Sequence, residues 1–120
     1  MTVRLVVHLR DPADAPGAVE RAFAQFARDF RTTSGARSVA LLRAAGDPGA
    51  FAVVSGWRDL QAFEAWRTGP GHRARSTPLT PFKDRSRAPH WEVYEEVAGL
   101  VGIDRTSVAD CKGQGNGNFA

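Results

Sequence analysis

From Thr2 to Leu9 the chain alternates, with Val3, Leu5, Val7 and Leu9 on one face and Arg4, Val6, His8 and Arg10 on the other. Period two in β-branched residues predicts a strand. The stretch Asp11-Pro12-Ala13-Asp14-Ala15-Pro16 breaks the pattern, and Pro16 suits the first turn of a helix. The period then becomes helical from Gly17 to Thr32. Val19, Phe23, Phe26 and Phe30 make one apolar stripe, while Glu20, Arg21, Gln25, Arg28 and Arg31 cover much of the remainder. Gly35 is placed to close this helix in the left-handed conformation.

Two matched strand-like runs, Arg37 to Ala44 and Ala50 to Trp57, flank Ala45-Gly46-Asp47-Pro48-Gly49, which is hairpin chemistry. Asp59 can cap a second helix with Leu60, Phe63 and Trp66 turned inward. Thr68-Gly69-Pro70-Gly71 interrupts that helix before a short turn from His72 to Thr77. Pro78, Pro81 and Pro89 predict an irregular segment, and His90 to Val97 reads as a fourth strand. The chain is expected to divide into a folded unit over 1–98 and a flexible Gly-rich tail over 99–120.

The order β-α-β-β-α-β predicts an α+β, ferredoxin-like unit with an antiparallel sheet and both helices on one face. The strands carry apolar residues on both faces: Val39 and Leu41 against Ala40 and Leu42, Phe51 and Val53 against Ala52 and Val54. Such a sheet needs two covers. The helices supply one, and the sheet of a second copy is the expected other, which makes the chain a homodimer.

Composition narrows the function. With 120 residues, 42% hydrophobic and 24% charged, the chain suits one globular domain. The net charge of +3 comes from scattered arginines, so nucleic acid is not an expected partner. No apolar run approaches a membrane span and the N-terminus lacks a signal-peptide pattern, so a cytoplasmic protein without a membrane partner is expected. The single cysteine, Cys111, rules out an internal disulfide. His8, His72 and His90 have no ligand spacing, which predicts no metal site. Neither a dinucleotide fingerprint nor a phosphate loop occurs.

The segment GDPGAFAVVSGWRDLQAFEAW, followed by GPGHRA, resembles the antibiotic biosynthesis monooxygenase family of dimeric α+β barrels. Its marks are Trp57 ending a hairpin strand, the cap Asp59, Phe63 and Trp66 in F-x-x-W, and His72 shortly after. The closing strand HWEVYEEV resembles the family's last strand, and the likeness runs over about residues 3–98. The resemblance implies a pocket between helices and sheet, with Phe26, Phe63 and Trp66 as walls. Phe23 and Phe30 read as core.

Within that frame His72, after Gly-Pro-Gly, is a candidate general base, since an unperturbed imidazole titrates near 6.5, roughly the right range. His8 is a second candidate from the sheet floor. Trp66 would position a flat ring and offer one N–H. Tyr94 is a possible donor to a substrate oxygen, or else a residue of the subunit seam. Arg43, Arg85 or Arg87 could neutralise an enolate or phenolate, with surface solvation as the plainer role. Haem-degrading relatives carry a histidine where this chain has Ser76. The resemblance therefore implies a cofactor-independent monooxygenase, with O₂ as co-substrate, turning a polycyclic phenolic or anthrone-type polyketide intermediate into a quinone. A polyketide cyclase on the same fold and a non-catalytic aromatic-ligand binder are the alternatives.

Overall fold

The computed structural model describes residues 2–69 and 77–99. Its elements are β1 (Val3–Arg10), α1 (Ala18–Phe30), β2 (Ala36–Ala44), β3 (Asp47–Trp57), α2 (Leu60–Thr68) and β4 (Trp91–Glu95), with a 3₁₀ turn at Thr80–Phe82. The four strands form one antiparallel sheet in the order β2-β3-β1-β4. This is the expected α+β, ferredoxin-like arrangement. No helix among the described residues is long and apolar enough to cross a membrane.

Alternation along the strands decides which side each residue serves. Val3, Leu5 and Leu9 of β1 and Phe51, Val53 and Trp57 of β3 are buried beneath the helices. They meet Val19, Phe26 and Phe30 of α1 and Ala62 and Phe63 of α2. Trp57 is fully buried, and each large apolar side chain so enclosed contributes about 1.5–3 kcal/mol. The even-numbered positions of β1 and β3 carry no helix. There Val6, Ala52 and Val54 are half-buried, and Leu42 of β2, paired with Ala52, is 51% exposed.

Several boundaries differ from expectation for local reasons. Helix α1 begins at Ala18, past Pro16, because Asp11 caps it from upstream: its carboxylate accepts from the Gly17 N–H at 3.0 Å and the Val19 N–H at 2.9 Å. The hairpin turn shrinks to Ala45-Gly46, since β3 starts at Asp47 and Ala44 pairs with Asp47 beside a bulge. Leu60, expected inside, is 43% exposed, whereas Phe63 is buried. It sits directly after the cap Asp59, whose carboxylate accepts from the Ala62 N–H at 2.8 Å. The proline-rich segment is not wholly irregular: besides its 3₁₀ turn, Lys83 bridges to Leu9 and the Asp84 N–H donates to the His8 carbonyl. It thus continues β4's edge position along β1. Of the expected tail only Gly99 lies within the described residues.

A candidate aromatic cavity between helices and sheet

Between the helices and the sheet lies a cavity of about 260 Å³. Its floor is Leu5 and Val7 of β1 with Val53 and Ser55 of β3. Phe26 of α1 and Phe63 and Trp66 of α2 form the wall above. Trp91 of β4 stands at the rim, and Thr77, Leu79 and Lys83 of the connecting segment close one side. Spacing explains the assembly. Phe26 lies on the inward stripe of α1, and Phe63 and Trp66, three residues apart, share a face of α2.

Trp66 is held by rings on three sides. Its centroid lies 5.1 Å from Trp57, 6.3 Å from Phe30 in an edge-on contact, and 6.4 Å from Phe63. Its indole N–H has no hydrogen-bond partner among the described residues. Trp57, by contrast, is a structural residue: its N–H donates to the Ser55 hydroxyl at 3.0 Å. Ser55 is itself buried, as an otherwise orphaned indole N–H requires.

Phe26, Phe63 and Trp66 thus share the cavity lining, while Phe23 and Phe30 stay outside it. Other expected site residues lie elsewhere. His8 points to the opposite sheet face, because it alternates with Val7; its Nε2 lies 3.3 Å from the Glu92 carboxylate. It is not the cavity floor. Tyr94 shares that outer face, alternating with Val93, and is 52% exposed. The charge of Glu92, with burial and a hydrogen bond to Glu92, raises the Tyr94 phenol above its ordinary value. Arg43 sits near the hairpin end of β2, ion-paired with Glu20 at 3.3 Å and 5.1 Å above the Phe51 ring. It does not line the cavity. His72 and Ser76 lie outside the described residues, as does Cys111.

Sequence reasoning missed Ser55, Lys83 and Trp91 as cavity residues. Trp91 had a readable signal, since it stands two residues from Val93 and so shares the same face of β4. Lys83 had none, because it lies in a segment without periodicity. Burial, helped by the charge of Arg85, lowers the Lys83 ammonium from its usual value. No group of three or more His, Cys, Asp or Glu that would hold a metal occurs among the described residues.

An antiparallel four-stranded sheet with two helices on one face and an aromatic cavity between them defines a ferredoxin-like α+β protein. The profile of the family described as antibiotic biosynthesis monooxygenase matches residues 2–76, and the chain belongs to that family. Among solved structures it is similar to SnoaB, a cofactor-independent oxygenase from Streptomyces nogalater. The two are 22% identical, with a TM-score of 0.64 over 83% of this chain and 97% of SnoaB. A heme-degrading protein from Mycobacterium tuberculosis, in a heme-free form, is 26% identical, with a TM-score of 0.58 over 83% of this chain and 99% of its own. No curated protein matches the chain.

Proposed function

We propose that this chain is a cofactor-independent monooxygenase that oxidises an electron-rich polycyclic phenol, of the anthrone type, to a quinone. The observation that carries this reading is the apolar cavity walled by Phe26, Phe63 and Trp66, of a size for a few fused rings. SnoaB, similar in fold, is a cofactor-independent oxygenase.

In this reading Trp66 positions the ring and its N–H meets a substrate oxygen. A base, for which His72 is the candidate, takes a proton from the ring methylene. The carbanion passes one electron to O₂, and the radical pair recombines as a peroxide. Loss of one water then leaves the quinone carbonyl, so one oxygen atom enters the product and one leaves as water. The protein's part is orientation and stabilisation of the anion by placed donors. In the same reading a second subunit covers the outer sheet face, where Leu42 and Val54 lie, and His8 and Tyr94 belong to that seam.

The test is O₂ consumption by metal-stripped protein with dithranol, followed together with quinone absorbance. Catalysed uptake matched by quinone, indifferent to chelator and added flavin, is the expected result. No uptake above the spontaneous rate, with dithranol shown to bind, would reject the oxygenase in favour of the cyclase or a non-catalytic binder. Heme as a ligand, brought into view by the Mycobacterium tuberculosis neighbour, is checked by a Soret titration. A cavity of about 260 Å³ suits three fused rings better than a porphyrin.

A further inference from the structure

The polar equipment of the cavity is one-sided. Besides Ser55, its described polar lining is Arg67, Thr77 and Lys83, and no carboxylate is among them. Two of these are already engaged: Arg67 pairs with Glu64 at 2.8 Å, and Thr77 exchanges hydrogen bonds with Thr80 and Leu79. Lys83 makes no ion pair or hydrogen bond through its ammonium among the described residues. The charges felt around it do not offset it either. Arg85 acts on Lys83, and both Lys83 and Arg85 act on His90. Neighbouring Asp84 is occupied by Ser86 and by Arg10 at 3.8 Å.

A half-buried cation without an internal counter-ion, beside a wall of flat rings, calls for an aromatic anion. We propose that Lys83 is the counter-ion for an ionised phenol or enol oxygen of the ligand, so that the cavity selects the anionic form of its aromatic guest. The proposal rests on the aromatic-ligand reading above but does not require turnover. Burial that disfavours the bare ammonium is consistent with it, because a bound anion would remove that penalty.

The experiment uses the full chain and 2-hydroxyanthraquinone, whose visible absorbance changes on ionisation. Its phenol is titrated free, then bound to wild type, Lys83→Met, Lys83→Gln and Lys83→Arg, with neutral anthraquinone binding as a check on the cavity. The expected result is a bound phenol pKa about one unit or more below the free value in wild type. Lys83→Arg keeps that shift; Lys83→Met and Lys83→Gln lose it while still binding anthraquinone. An unshifted wild-type titration, a shift that survives both neutral variants, or no binding of the phenol at all overturns the proposal. The dithranol assay reports separately. A Lys83-dependent shift without O₂ uptake leaves this inference standing and the oxygenase reading rejected; uptake without the shift does the reverse.

Discussion

The indole N–H of Trp57 donates to the hydroxyl of Ser55, two residues back on β3, at 3.0 Å in the buried core. Both side chains face the helices, because residues two apart share a strand face. Ser55→Ala would leave that N–H without a partner in a dry site. We expect a loss of about 1–3 kcal/mol of unfolding free energy in urea denaturation. In a double-mutant cycle with Trp57→Phe, the pair should couple by about 1 kcal/mol. Additive effects would show that the hydrogen bond contributes nothing.

Asp11 holds the start of α1 from outside the helix. Hydrogen bonding to the Gly17 N–H, aided by that of Val19, lowers its carboxyl below the ordinary value. A carboxyl depressed in the folded state stabilises fully above its unfolded pKa and loses that contribution as pH falls through the folded one. Asp11→Ala should cost about 1 kcal/mol near neutrality. The gap from wild type should close on acidification below about pH 4. A gap unchanged at low pH would mean the carboxylate charge plays no part.

Gly35 and Gly46 make opposite predictions for the same substitution. Gly35 has φ +81°, and an added Cβ would stand 2.5 Å from the Ala62 Cβ. Gly35→Ala should therefore destabilise by about 1–3 kcal/mol, through strain and the clash with α2. Nothing lies within 4 Å of a Cβ at Gly46, so Gly46→Ala should change the melting temperature little. Equal effects at both would refute the steric argument.

The uncovered sheet face predicts a dimer. Leu42, 51% exposed, and half-buried Val54 lie on it. Wild type should sediment as a dimer, and Leu42→Asp with Val54→Asp should sediment as a monomer with the same circular dichroism. A wild-type monomer at micromolar concentration would end this reading.

For the base, His72→Ala should lower the kcat for dithranol roughly 10²-fold if His72 removes the proton. A rate within about threefold of wild type would exclude that role.

Much of the molecule was legible without coordinates. Periodicity alone determined the element order, the inward stripe of α1 and the pairing of Phe63 with Trp66, because those depend on repeat distances of two and 3.6 residues. It also put His8 opposite Val7, and Tyr94 opposite Trp91 and Val93, but only the structure shows that theirs is the outer face. The resemblance drew His8 toward the cavity, but alternation with Val7 keeps it out. What only the tertiary structure decided is which polar groups share the cavity. Ser55 and Lys83 lie 28 positions apart, on a central strand and on a segment with no repeat at all. They meet because the segment after α2 docks along the edge of β1, where Lys83 bridges to Leu9. Backbone pairing between distant segments leaves no period in the sequence, so the cation of the cavity emerged only from the fold.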